Sequence, residues 1–248
     1  MKFLKDKWTL IIILGLGILS AVFYSLDFNI FHDGKNEFIW FLRTLSFMPI
    51  EVLLVTLVIQ KLLDEKEKRT MMKKLNMVIG LFFSEVGRDL LRFVIPTDSF
   101  AGEKKKRLRM GNDWTPYDFE EAIKASEKEN AKLKVSREFF VDLKSNLSKR
   151  REFMIKLLEN SALLEHESFS ELLTYIFHLI EELDMRADIL KIHDKDLEHL
   201  EIDLRRSYGK LVTEWLTYLK HQKKEYPYLY SFSIRTNPFE DELHVELS

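Results

Sequence analysis

The 248-residue chain contains no cysteine. Disulfide bonds, zinc sites built from thiolates, iron–sulfur clusters and cysteine nucleophiles are therefore excluded. Glycine and proline are also scarce, with eight and five residues respectively. Charged residues make up 31% of the chain, and Leu, Glu and Lys are frequent, a composition that favours helix over strand.

The sequence also lacks the short motifs of several enzyme classes. It contains no phosphate-binding G-x-x-x-x-G-K-[ST] loop, no dinucleotide-binding G-x-G-x-x-G pattern, no G-x-S-x-G nucleophile elbow and no H-E-x-x-H zinc motif. The formal net charge of -2 gives no general preference for nucleic acid. We therefore expect a protein that is not an enzyme, uses no cofactor and does not bind nucleic acid.

The first of two long apolar runs is Trp8–Tyr24, which carries no charge. As a helix it would be about 26 Å long, just enough for a bilayer core. The alternative is a cleaved signal peptide, but bulky aromatic residues follow where a cleavage site needs small ones. Gly17 and Ala21 form a small-xxx-small pair that permits close helix packing, although small residues are common in spans generally.

The second apolar run, Phe38–Leu63, would form a helix of about 39 Å and is predicted to cross the membrane. Pro49 removes one helical hydrogen bond and favours a kink. Arg43 can extend towards the outer interface. Glu51 lies near the middle, where a charge costs at least about 2.5–3.5 kcal/mol. It is interpreted either as part of an ion site or oligomeric pore, or as a neutral side chain that holds helices together.

The distribution of cations predicts the orientation of the two spans. Lys2, Lys5 and Lys7 precede the first span, and a second cationic stretch follows the other one at 66–74. The intervening turn, Ser25–Glu37, holds three acids and a single lysine. By the positive-inside rule, both termini lie in the cytoplasm and the turn lies outside.

The remaining chain is predicted to be helical. Charge pairs four residues apart, such as Asp64 with Lys68, favour a helix that continues beyond the membrane. Leu75–Val94 carries four charges, which argue against a third span, and Pro96 ends it. We predict an all-α chain with two transmembrane helices and a cytosolic helical bundle. Its parts are a membrane domain (1–63, with spans at about 8–24 and 38–63), a stalk (64–95) and a cytosolic domain (96–248).

Capping signals predict where the cytosolic helices begin. Each is a polar residue before an apolar stripe, or a proline in the first turn. The predicted helices are Pro116 to about Glu129 after the Thr115 cap, Arg137–Glu159 after Ser136, Phe169–Leu190 with a Ser168/Glu171 capping box, Lys195–Lys224 after Asp194, and Pro227–Arg235 before an Asn237-Pro238 stop.

Two groups of polar residues are candidate sites. The stretch 97–113 is predicted to be a loop, and its cations can bind anionic lipid headgroups at about 1 kcal/mol each, unless the loop is simply solvated. These cations are Lys104, Lys105, Lys106, Arg107 and Arg109. His178 and Glu182 lie one helical turn apart and can share a metal ion, although such a pair is usually a hydrogen bond or a surface pair. No metal site is predicted from them.

Three stretches carry a resemblance: LNMVIGLFFSEVGRDLL, LLEHESFSELL and YPYLYSFSIRTNPF. Together with the double span, they resemble a group of uncharacterised prokaryotic two-span membrane proteins. The resemblance covers nearly the whole chain and implies the architecture, without an activity, ligand or catalytic residue. We expect the chain to lie in the prokaryotic plasma (inner) membrane, with both termini in the cytoplasm.

The expected function is that of a membrane-anchored interaction or scaffold protein. Its partners would be the lipid bilayer, other copies of the chain and a cytosolic protein. The alternative is a homo-oligomeric ion channel lined by the second span, with Glu51 in the pathway.

Overall fold

A single long helix, α1, runs from Gly34 to Phe82 and contains the whole apolar run Phe38–Leu63. The computed structural model describes residues 34–160, 163 and 166–241, together with residues 15, 18, 22, 25, 26 and 29. Most of the predicted first span, including Gly17 and Ala21, therefore lies outside the described residues. The chain divides into two compact units, Met1–Glu67 and Lys68–Ser248, and the division falls within α1.

The second unit, which we call the helical domain, contains short and long helices in its described part. In chain order they are a π-helical segment Phe83–Gly87, α2 (Arg88–Val94), a 3-10 turn Ile95–Thr97, α3 (Ala101–Arg107), α4 (Pro116–Lys128), α5 (Arg137–Ser148), α6 (Arg151–Leu158), α7 (Glu167–Met185), a 3-10 turn Ile189–Lys191, α8 (Asp194–Glu225) and α9 (Pro227–Arg235). The described residues form no strand, only an isolated antiparallel bridge between Asp98 and Leu133. The all-α prediction is confirmed for this part of the chain.

The core of the helical domain is built around α8. This helix packs against α4, α7 and α9 and buries apolar residues on several sides. Trp215, in the C-terminal half of this helix, is fully buried, with its ring centroid 5.1 Å from that of Phe83. Its indole N–H donates to the Asn237 side chain, which in turn donates to the Leu108 carbonyl. The buried indole N–H and the Asn237 side chain are therefore both paired.

The π-helical segment follows directly from α1. The segment ends at Gly87. A Cβ atom at this position would lie 2.4 Å from Cδ1 of Phe83, so a larger residue would displace the Phe83 ring. Phe82 and Phe83 are both buried and make an edge-to-face contact at 5.1 Å. The wide turn thus lets two consecutive aromatic side chains enter the core.

Two helix starts agree with their predicted caps. Thr115 and Asp118 form a reciprocal capping box, and Pro116 occupies the first turn. The Ser136 side chain accepts a hydrogen bond from the Phe139 amide. These caps satisfy amides that a helix N-terminus otherwise leaves unpaired.

Two predicted helices have the wrong limits. Arg137–Glu159 is not one helix but two, α5 and α6, separated at Lys149-Arg150. The Arg150 side chain donates to the Glu85 carbonyl and the Asp89 carboxylate, contacts that hold the break in place. The predicted helix Phe169–Leu190 begins two residues earlier, at Glu167, and ends at Met185, well before Leu190.

Two predicted caps and one predicted loop are also wrong. His166, not Ser168, caps α7 through Nδ1, and the Ser168 hydroxyl donates instead to Glu214. Asp194 is the first residue of α8 and His193 precedes it without a side-chain cap. The stretch 97–113 contains a helix, α3, because Lys104 is buried against Asp98 and its ammonium lies 4.8 Å from the ring centroid of Tyr208.

Candidate functional site

The apolar segment Phe38–Leu63 is exposed along its whole length. Each of its large apolar side chains is 43–62% exposed. By length and composition, α1 gives the one helix among the described residues that could cross a membrane, and none of its most apolar 18-residue window is buried. The described part of the chain therefore contains one such helix, and the two-span arrangement stays a prediction.

Arg43, Pro49 and Glu51 all lie on exposed positions of this segment. The helix continues through Pro49, which has no N–H to donate to the Leu45 carbonyl. Arg43 and Glu51 are eight residues apart, about 12 Å along the helix axis, so they do not meet within one helix. A partner for either charge must therefore come from outside this helix or from solvent.

Four of the five cations of the stretch 97–113 contact carboxylates of the same domain. Lys104 is 4% exposed, and its ammonium donates to Asp98 at 2.6 Å. Lys105 pairs with Asp241 and Arg107 pairs with Glu129. Arg109 Nε lies 3.7 Å from Glu240. The burial of Lys104 removes it from the surface, and headgroup contact stays a prediction for Lys105, Lys106, Arg107 and Arg109.

Two histidines and two carboxylates meet where α7 packs against α8. His178 and Glu182 lie one turn apart on α7, and His199 and Asp203 lie one turn apart on α8. His199 Nε2 lies 3.4 Å from Asp203 Oδ2 and 3.9 Å from Glu182 Oε2. His178 Nε2 lies 3.7 Å from the same Asp203 oxygen. We call these four residues the α7–α8 cluster.

The α7–α8 cluster has an arginine on each side. Arg186 Nη1 donates to the Glu182 side chain at 2.7 Å, and this bond holds the pKa of the Glu182 carboxyl below its usual value. Arg206 Nη1 lies 3.8 Å from the second Asp203 oxygen, Oδ1. Each acid of the cluster thus has an arginine nearby.

The sequence contained a signal for the full cluster that was not used. Both helices carry a histidine followed by an acid four residues later, His178/Glu182 and His199/Asp203. This spacing places both side chains of a pair on one face of a helix. Sequence reasoning selected only the first pair because it does not show that α7 and α8 bring the two faces together.

A concave region separate from the α7–α8 cluster lies between the end of α1 and α8. It is a cleft of about 450 Å³ whose walls include Gly80, Tyr218 and Leu229. Gln222 also lines it, donates to the Tyr218 hydroxyl at 2.6 Å, and has a buried Oε1 without a hydrogen-bond partner among the described residues. The cleft is mostly apolar, and none of its described lining residues belongs to the α7–α8 cluster.

Comparison with known proteins gives matches along most of the chain. A family model described as "Uncharacterized protein MJ1433, C-terminal helical domain" matches residues 71–235, and one described as "MJ1433, N-terminal helical domain" matches residues 2–63. The uncharacterized protein MJ1433 of Methanocaldococcus jannaschii is 42% identical over 241 residues, which cover 96% of each chain. No solved structure gives a significant match.

Proposed function

The chain belongs to the MJ1433 family of proteins with N- and C-terminal helical domains, and we propose that it is a membrane-anchored interaction or scaffold protein. Two transmembrane helices, at about 8–24 and 38–63, anchor it in a prokaryotic plasma membrane. The helical domain lies in the cytoplasm, where it binds other copies of the chain or a cytosolic protein. The role is one of binding rather than catalysis.

The observation that carries this proposal is the exposure of the segment Phe38–Leu63. Water-soluble proteins rarely expose a continuous apolar surface larger than a few hundred Å². The segment is apolar around its whole circumference, and its length of about 39 Å suits a tilted helix in a hydrocarbon core of about 30 Å. A lipid bilayer covers such a surface on all sides, whereas a protein partner would cover only one face of the helix.

The charges that flank the segment support the orientation. Lys66, Lys68, Arg69, Lys73 and Lys74 follow it directly, whereas the preceding turn is acidic. Cations within about 15–20 residues of a span favour the cytoplasmic side. The helical domain, which begins among these cations at Lys68, is then cytoplasmic.

Glu51 supports self-association. An acid at the middle of a span is costly unless it is neutral, paired or in contact with water. Assembly of several chains would place Glu51 against Arg43, or against another Glu51, of a neighbouring copy. The same residue favours a second candidate function, a homo-oligomeric ion pathway lined by the segment Phe38–Leu63.

The absence of cysteine makes the topology directly testable. Single cysteines introduced as Lys35→Cys and Lys195→Cys would be the only thiols in their chains, so a membrane-impermeant maleimide labels them without background. In intact cells we expect labelling at position 35 and protection at position 195. Extraction of the protein by carbonate, or labelling at position 195 in intact cells, would contradict the anchored cytoplasmic arrangement.

Oligomeric state and ion flux separate the two candidate functions. The mass of the full chain in mild detergent gives the number of copies, and liposomes give the flux. A scaffold predicts an assembly that passes no ions, whereas a pathway predicts flux that Glu51→Gln reduces. A monomer with no flux would contradict both self-association and the channel.

A further inference from the structure

The Asp203 side chain has an unusual environment within the α7–α8 cluster. It is 5% exposed, and its Oδ2 atom is buried without a hydrogen-bond partner among the described residues. The imidazole Nε2 atoms of His199 and His178 lie 3.4 and 3.7 Å from this oxygen. Both distances exceed the range of about 2.7–3.2 Å that is usual for an N–H···O hydrogen bond. A cation placed between these atoms would satisfy the buried oxygen.

The two imidazole nitrogens and the Asp203 oxygen are spaced nearly as they would be around a shared ion. Nitrogen and oxygen ligands about 2.0–2.2 Å from a tetrahedral ion lie about 3.3–3.6 Å from one another. One ligand atom each from His178, Glu182 and His199 lies within 4.8 Å of the others, and the Asp203 oxygen lies within 3.7 Å of both imidazole nitrogens. We infer that the α7–α8 cluster is a binding site for one divalent transition-metal ion of the zinc class.

The donor set selects the class of ion. Calcium and magnesium prefer sites built from oxygen ligands alone. Two imidazoles with two carboxylates suit zinc and neighbouring first-row ions such as iron and nickel. The four residues of the α7–α8 cluster offer nitrogen and oxygen but no sulfur donor, so soft copper(I) is disfavoured.

The surroundings of the cluster orient two of its ligands. Arg186 holds the Glu182 carboxylate through Oε2, and a carboxylate oxygen has two lone pairs, so it can accept from an arginine and bind an ion at the same time. Hydrogen-bonded partners of this kind commonly fix metal ligands in place. The imidazoles are 47% and 53% exposed, so the ion is reached from solvent. The ion therefore exchanges with solution and connects α7 to α8 reversibly.

Zinc titration of the metal-free full chain tests the site. The protein is prepared in detergent without a polyhistidine tag and stripped with a chelator, and zinc binding is measured by competition with a fluorescent chelator. We expect one ion per chain. We expect His178→Ala/His199→Ala and Asp203→Asn each to weaken binding at least about tenfold, the size typical of losing a ligand or its support.

His193→Ala is the matched control, because this exposed histidine precedes α8 and lies outside the α7–α8 cluster. It should bind zinc as the parent does. Thermal melting distinguishes a ligand from a structural residue: Asp203→Asn should melt like the parent without metal and lose the zinc-dependent rise in Tm. The double histidine variant keeps the test valid if Asp203→Asn does not fold, since both histidines are half-exposed.

Three results would overturn the inference. These are binding of less than one zinc ion per two chains, equal affinity in the double histidine variant and the parent, and an equal rise in Tm with magnesium at the same concentration. The first two would exclude the site. The third would exclude the zinc-class assignment.

Discussion

The apolar segment Phe38–Leu63 and the helical domain use the same aliphatic residues in opposite ways. Leu54, in the segment, is 58% exposed, whereas Leu211, in α8, is fully buried. The domain helices α4 to α7 place their apolar residues on one face, but the segment is apolar all round. The domain covers its own core, and the segment needs an apolar environment that the described residues do not provide.

The largest effect is expected from the buried ion pair of the domain. Lys104→Met should lower the free energy of unfolding by about 3–5 kcal/mol, because it leaves the Asp98 carboxylate buried without its cation. Urea denaturation of the full chain in detergent, followed by circular dichroism, measures the loss. Asp98→Asn/Lys104→Met should lose much less, and an equal loss in the double variant would show that packing, not charge, is responsible.

One truncation made in both regions tests the comparison directly. Leu211→Ala should lower the free energy of unfolding of the helical domain by about 2–5 kcal/mol, because it opens a cavity in the core. Leu54→Ala removes the same atoms from an exposed position and should change it by no more than about 0.5 kcal/mol. The same denaturation experiment compares them. Similar losses would mean that the segment contributes to the core of the domain.

A charge in the segment tests what surrounds it. Leu54→Arg should disfavour membrane insertion by about 2.5–3.5 kcal/mol if the segment lies in hydrocarbon. The fraction of the chain that resists carbonate extraction is the measurement, with Leu190→Arg, at an exposed leucine of the domain, as the control. Full membrane retention of Leu54→Arg would contradict a lipid-facing position.

The smallest effect is expected from His221 in α8. Burial lowers the pKa of this imidazole. The charge of Glu225 raises the pKa and the charge of Lys224 lowers it further, and the net direction is downward. The folded state therefore favours the neutral form, and its contribution is present above the unfolded pKa of about 6.5 and lost as the pH falls below it. His221→Gln should lose less stability than the parent between pH 7.5 and 5.5, measured by thermal melting. An identical pH profile would show that His221 does not contribute.

Local signals predicted the features that depend on local chemistry. Thr115, Pro116 and Asp118 act within one turn, and Pro227 begins α9 by the same logic. Features set by distant contacts were missed. The break between α5 and α6 depends on Arg150 reaching Glu85 and Asp89, more than sixty residues earlier in the chain. The helix α3 depends in the same way on burial of Lys104.

The sequence predicts one part of the candidate metal site and not the other, for the same reason. The spacing of each histidine and acid can be read from the sequence, because it is fixed by the pitch of one helix. The burial of Asp203 and the approach of α7 to α8 cannot, because they result from packing of the whole domain. A symmetric pair of His-x-x-x-acid patterns is the signal that could have suggested the site.

The π-helical segment Phe83–Gly87 has a consequence for insertions and deletions. Each residue of an α-helix advances by about 100°, so deleting one residue within α2 rotates everything beyond it away from the core. A π turn holds one extra residue in a single wide turn. Loss of the exposed Ser84 would convert it to an ordinary turn and leave Phe82 and Leu90 on their original faces. A one-residue deletion within this stretch is therefore expected to leave the buried face of α2 in place, unlike a deletion within α2 itself.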